Sequence, residues 1–284
     1  MYWLLLACLL FTFNDFLWKK YLANVLSFRL AFIRAIYTST IMALLYFFME
    51  GNFFVESQSA DFYILIISCL FGSLGLFALI TYLQKGLLYN LGFYNLAGVL
   101  LMSIYTYLFE REKMQSHTFI FGMICIVIGY IVFIYSQKQQ VTQTNKKLKN
   151  HLLLWVMTIA FTLSIITQSI SVHQFSFITV TFTQELSVAI LAGLICLFTK
   201  KQSNENSIPF FSWKPIVMAL VISAAVITNV VGLKQTCPLA VSIIGLLTPI
   251  FILLTSVFFL NEKIQPKQYV SFLLMLLGCY LLLM

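Results

Sequence analysis

Ten stretches dominated by apolar residues follow one another along the chain, separated by short polar breaks. They fall at 2–18, 27–49, 62–84, 91–109, 118–136, 152–170, 176–198, 213–234, 240–260 and 268–284. A helix needs about 20 mainly apolar residues to cross the hydrocarbon core of a bilayer. A membrane β-barrel would show shorter segments that alternate between apolar and polar positions, and these runs do not alternate. The pattern therefore predicts membrane-spanning helices throughout. The only long polar stretch, QKQQVTQTNKKLKN, separates the fifth run from the sixth and reads as a linker. The chain thus divides into two five-helix units, 1–136 and 152–284, joined by residues 137–151.

The two units match at a constant offset of 150 residues. Phe11-Thr12 recurs as Phe161-Thr162, Phe32 as Phe182, Phe48 as Phe198, Ser73 as Ser223 and Leu83 as Leu233. The stretch GVLLMSIYTYLFEREKMQ (98–115) falls on TPIFILLTSVFFLNEKIQ (248–265), pairing Phe109 with Phe259, Glu112 with Glu262, Lys113 with Lys263 and Gln115 with Gln265. An odd number of crossings turns the second copy over in the membrane. The expected fold is an all-α polytopic membrane protein, ten transmembrane helices arranged as two inverted five-helix repeats. Many transporters use that arrangement for alternating access.

Composition agrees with this reading. The chain is 61% hydrophobic and 9% charged, whereas ordinary globular domains are about 45–50% apolar and about 25% charged. The net charge of +8 comes from basic residues in the breaks between apolar runs, which are topology signals and not a nucleic-acid surface. Arg111, Lys113 and Lys234 fall on the face that holds the N-terminus, and thirteen basic residues, from Lys19 and Lys20 to Lys267, fall on the other. The positive-inside rule then places both termini outside. The first run has no basic flank and no small-residue cleavage site, so it is expected to stay as a helix in a multi-pass cell-membrane protein. Trp3, Trp18, Trp155 and Trp213 fall at predicted span ends, where an aromatic belt would put them. The six cysteines and three histidines show no metal-ligand spacing, and no metal or cofactor is expected.

Two motifs carry a family resemblance. Pro249 to Glu262-Lys263 is similar to the P-x(10–11)-LxE-K/R pattern of the fourth helix of each repeat in ten-helix EamA-type members of the drug/metabolite transporter (DMT) superfamily, with Asn261 where glycine is usual. The first copy keeps Glu112-Lys113 but has Val99 at the proline position. FTFNDFLWK resembles the first-helix pattern W-G-x-N-x(4)-K, keeping Asn14 and Lys19 with Phe11 and Thr12 in place of Trp-Gly. The resemblance covers the whole chain. It implies a small-molecule transporter, often an exporter of amino acids or other metabolites, with a substrate cavity between the repeats near the bilayer centre. It also implies termini inside, against the charge count.

Ionisable groups inside apolar runs are the informative ones, because a charge at a helix centre costs about 2.5–3.5 kcal/mol to insert. Arg34 and Glu185 lie well inside the second and seventh spans, and counting from opposite faces brings them to similar depth. An Arg34–Glu185 ion pair between the units is one reading; local snorkelling that only supports packing is the other. Asp15 stands four residues before Lys19, the spacing of a local helix pair, with a proton-coupling carboxylate as the alternative. Asn14 and Asn229 offer amides to a substrate or to a neighbouring helix. Tyr82 and Tyr105 are candidate cavity aromatics. Pro249 is a candidate pathway kink or a harmless bend near its helix start. Glu112 and Glu262 read as interfacial anchors and loop ion pairs.

The function expected is a secondary transporter, an exporter of a small amino acid-like or drug-like metabolite. A membrane-embedded enzyme acting on lipid-linked substrates and a non-transporting assembly protein are the alternatives, but no cluster of histidines and acids favours the enzyme. No phosphate-binding loop of the G-x(4)-G-K-[ST] kind occurs, so coupling falls to a proton, another ion or substrate exchange. The expected partners are a small molecule and the lipid bilayer, not nucleic acid, and a homodimer stays open.

Overall fold

In a computed structural model of the chain, the described residues are 2–22, 25–49, 59–109, 117–138, 144–171, 174–198, 209–236, 245 and 247–282. Their ten regular elements are all helices: α1 (Tyr2–Tyr21), α2 (Ser27–Met49), α3 (Ser59–Leu83), α4 (Tyr89–Phe109), α5 (His117–Lys138), α6 (Thr144–Ser171), α7 (Phe177–Phe198), α8 (Trp213–Gln235), α9 (Leu247–Leu260) and α10 (Pro266–Leu281). Seven of them, α2 to α8, are long and apolar enough to cross a bilayer. The other three fall short for readable reasons. Asn14, Asp15 and Lys19 interrupt the apolar run of α1. The 14 residues of α9 rise about 21 Å and the 16 of α10 about 24 Å, against a hydrocarbon core of about 30 Å. Much of the predicted start of the ninth span, 240–244 and 246, lies outside the described residues. The linker is also shorter than its composition suggests, because α6 takes in residues 144–151. Lys and Leu there are good helix formers, and a helix need not be apolar beyond the membrane.

The helices pack across the two halves of the chain more than within them. The most extensive contacts join α3 to α6, α5 to α10, α2 to α7 and α1 to α8, followed by α3 with α7, α2 with α8, α4 with α9, α4 with α6 and α1 with α9. Each of these pairings is matched by one in which every helix is replaced by its counterpart five places along, or maps onto itself.

Small residues and serines permit the closest approaches. A Cβ on Gly122 would lie 2.6 Å from the Gly278 carbonyl oxygen, and one on Gly278 would lie 2.6 Å from that of Gly122. Backbone therefore meets backbone where α5 crosses α10, the packing that small residues allow in membrane helices. Ser271 of α10 also donates to the Gly129 carbonyl at 2.6 Å. Between α3 and α6, Ser68 and Ser164 each donate to the other's carbonyl, at 3.1 and 3.0 Å.

Two apolar clusters make up most of the core. The larger surrounds α4, with Phe93 stacked on Phe133 at 3.8 Å between centroids and Phe272 edge-on. The smaller gathers Leu4, Leu65, Val180, Ile222, Val226 and Leu233. Of the four tryptophans, Trp3 and Trp213 are exposed at helix starts as expected, whereas Trp18 is fully buried and Trp155 packs edge-on against Tyr94 and Tyr130.

Candidate functional site

The packing of α2 on α7 brings Arg34 to Glu185. Arg34 Nη2 and Glu185 Oε2 are 3.0 Å apart, and their side chains are only 1% and 4% exposed. The α1 helix supports the pair from the side: the indole of Trp18 lies under the guanidinium, with Cζ 5.6 Å from the ring centroid. That contact explains why Trp18 is buried and not part of an aromatic belt. The Nε of Arg34 has no hydrogen-bond partner. Gln184 accepts from Gln168 Nε2 at 3.2 Å, and Ser187 of α7 meets Ser73 of α3 at 2.7 Å.

A cavity of about 290 Å³ opens beside this pair, between the two apolar clusters. Leu79, Leu91, Met102 and Met157 line it from the larger cluster, and Leu4, Ile222 and Val226 from the smaller. Its polar lining includes Asn14, Asp15, Asn95, Gln168, Gln184 and Asn229, together with Arg34 and Glu185. Both halves of the chain contribute. Three of these residues, Asn95, Gln168 and Gln184, are not among the candidates that the sequence offers. Each is an amide inside an apolar run, where an unpartnered polar group is costly, and that signal alone could have found them.

The α1 lining stops at Asp15. Asp15 is not paired with Lys19, contrary to the local-pair expectation. Lys19 Nζ donates instead to the carbonyls of Leu83, at 3.2 Å, and Gly86. Among the described residues no lysine or arginine bridges Asp15. Its neighbour Asn14 is 3% exposed, and its Oδ1 has no partner.

The other nominated residues lie elsewhere. Tyr82 does not line the cavity. Its hydroxyl donates to the Leu87 carbonyl at 3.0 Å and accepts from the Leu87 amide and Asn90 Nδ2, so it ties the α3–α4 turn together. Tyr105 packs on Phe109 at 5.0 Å between centroids, also away from the cavity. Pro249 is buried in the first turn of α9 against Gly92 of α4. In a first turn its missing N–H leaves no helical hydrogen bond unmade, and Thr248 beside it is the residue that lines the cavity.

Glu262 is a helix cap more than a loop ion pair. Asn261 takes φ 52°, a left-handed conformation that glycine and asparagine tolerate best. That turn aims the Glu262 carboxylate at the start of α4, where it accepts from the amides of Leu88 and Tyr89 at 2.9 and 3.0 Å. An anion at a helix N-terminus satisfies otherwise orphaned donors and suits the helix dipole. Its counterpart Glu112 lies outside the described residues.

No curated protein matches the chain. A solved crystal structure, described only as that of a protein, is similar at TM-score 0.66 and 13% identity, with 98% of each chain covered. At that identity the likeness shows the fold alone. The model of the EamA-like transporter family matches residues 1–135 and 148–284. With that match over nearly the whole chain, the protein belongs to the EamA-like transporter family, within the DMT superfamily.

Proposed function

We propose that this transporter exports a small metabolite by alternating access, holding it in the cavity between two inverted five-helix repeats. The observation that carries the reading is the cavity itself: both halves line it, and the buried Arg34–Glu185 bridge joins the halves at its wall. The reciprocal helix pairings support a pseudo-twofold relation between residues 1–136 and 152–284, with the matched stretches of the family on either side of the linker. Beyond Asp15, the buried Trp18, the Lys19 contacts and the Glu262 cap support a closed gate at the end where α1 finishes. Rocking of one repeat against the other would open that end and close the opposite one. Asn14 and Asn229 serve as polar anchors for the ligand, and the apolar lining covers its body.

Metabolite profiles of the medium from a deletion strain and an overexpressing strain test this reading. A compound whose extracellular level rises with expression names the substrate and the direction. A compound that instead accumulates inside reverses the direction, and profiles indifferent to expression remove metabolite transport. The thirteen-to-three basic asymmetry supports an orientation with both termini outside. A reporter fused after Met284 that is active only outside the cytoplasm should therefore give signal; signal from a cytoplasmic reporter alone reverses the orientation.

A further inference from the structure

Among the described residues, three with ionisable acidic or basic side chains line the cavity: Asp15, Arg34 and Glu185. Arg34 and Glu185 neutralise each other at 3.0 Å, so among these Asp15 is the acid left without a counter-charge. Next to it in sequence is Asn14, which also lines the cavity and whose buried Oδ1 has no donor. An acceptor oxygen and an acid side by side on one helix together lack N–H donors and a positive charge. We infer that the cavity is selective for a small primary or secondary ammonium ion with an apolar body, its N–H groups shared between Asp15 and Asn14. This inference rests on the reading of the cavity as the transport site.

Charge balance separates the ammonium ion from its close relatives. A monocation cancels the charge of Asp15. A zwitterion leaves that charge uncancelled, and in a low-dielectric site an uncompensated charge is costly. An anion adds to it. Arg34 does not reverse the preference, because a ligand carboxylate at its free Nε would also meet the Glu185 carboxylate. A neutral oxygen on the ligand suffices there. A quaternary ammonium has no N–H and would leave Asn14 Oδ1 unsatisfied. The remaining wall, with Leu4, Phe11, Leu76, Met102, Phe161 and Val226, suits a hydrocarbon or aromatic body. At about 290 Å³ the space is at the lower end for ligand pockets, so the body is small.

Four probes with one phenylethyl body test the charge rule: phenethylamine (cation), phenylalanine (zwitterion), 3-phenylpropanoate (anion) and 2-phenylethanol (neutral). Binding to the purified full-length protein in detergent is measured by calorimetry and by the shift in melting temperature. Phenethylamine should bind about tenfold or more tightly than phenylalanine, with 3-phenylpropanoate weakest. Asp15→Asn should lower phenethylamine affinity about tenfold or more while moving 2-phenylethanol by less than about threefold. Asn14→Leu should weaken phenethylamine but not its trimethylammonium analogue. If Asp15→Asn does not fold, the wild-type ranking and Asn14→Leu still decide. Tighter binding of phenylalanine or 3-phenylpropanoate overturns the inference, as do indifference to Asp15→Asn in folded protein and failure of every probe to bind. Metabolite profiles that follow expression without phenethylamine binding would keep transport and remove the cation. Binding in the expected order with no expression-linked metabolite would do the reverse.

Discussion

The end where α1 finishes and the cavity one to two turns away use the same kinds of side chain in opposite ways. At the end, polar groups have their partners: Lys19 donates to two carbonyls, Glu262 accepts two amides and the Tyr82 hydroxyl takes part in three hydrogen bonds. In the cavity the Oδ1 of Asn14 and the Nε of Arg34 have none, and among the described residues no lysine or arginine bridges Asp15. The Trp18 indole N–H, between the two regions, is also unpartnered. Buried polar groups that only hold a fold together are normally satisfied within it. Groups that await a ligand must keep hydrogen-bonding capacity free. The satisfied end is thus built as structure, and the free groups support the proposal that the cavity is the site, even though both are rich in charged and polar residues.

The largest effect should come from breaking the ion pair in the cavity wall. Arg34→Met or Glu185→Leu alone leaves a buried charge without its partner, which costs about 3–5 kcal/mol. Each single variant should lose much of its folded yield in detergent. Arg34→Met combined with Glu185→Leu should recover stability, since an apolar pair of similar volume is often neutral or better, but should not recover transport. Melting temperatures of the four proteins form a double-mutant cycle. Simple additivity would mean the pair is not coupled, and recovered transport in the double variant would make it a packing device.

This contrast is only partly legible in the sequence. Arg34 and Glu185 stand out because ionisable residues inside apolar runs are rare, and counting rise per residue from opposite faces brings them level. The helices are legible for the same reason, since apolar length is a local property. Asp15 is misleading. Its spacing to Lys19 offers a local partner, but Lys19 turns to carbonyls 64 and 67 residues away, contacts that no local spacing reveals. Tyr82 and Tyr105 do not line the cavity, and helix periodicity does not say which of many aromatics face an interior space. Glu262 is recognisable by motif, but its role as a cap depends on a loop from the other half of the chain. Pairings between distant helices set these roles, and local patterns do not encode them.

Asn229 and Glu262 then separate the two regions by readout. Asn229 lines the cavity. Asn229→Ala should weaken ligand binding by about 1–3 kcal/mol if its amide bonds the ligand, because a buried partner loses its hydrogen bond. Its melting temperature should hardly move. A lowered melting point with unchanged affinity would instead make Asn229 a helix-packing residue. Glu262→Gln should behave the other way. It keeps one acceptor for the amides of Leu88 and Tyr89 but loses the charge at the α4 N-terminus, costing about 1–2 kcal/mol of stability with affinity intact. Loss of affinity in folded Glu262→Gln would draw the closed end into the binding site.

Tyr105→Leu should have the smallest effect, and it tests whether the boundary between the two regions holds while the protein works. Tyr105 is half-buried on α4, its ring against Phe109 and outside the cavity lining. Leucine keeps much of the apolar contact, so the loss is that of one aromatic pair, about 0.5–1.5 kcal/mol at most. Affinity for any cavity ligand should stay within about twofold, well below the tenfold that 1.4 kcal/mol represents. Tyr105 nevertheless shares α4 with Val99 and Met102, which do line the cavity. If the repeats rock, α4 shifts against its neighbours, and residues on its edge can exchange cavity for packing. A fall in transport rate with unchanged affinity and melting temperature would place Tyr105 on the moving surface. A fall in affinity would extend the cavity to it and break the boundary between site and scaffold along α4.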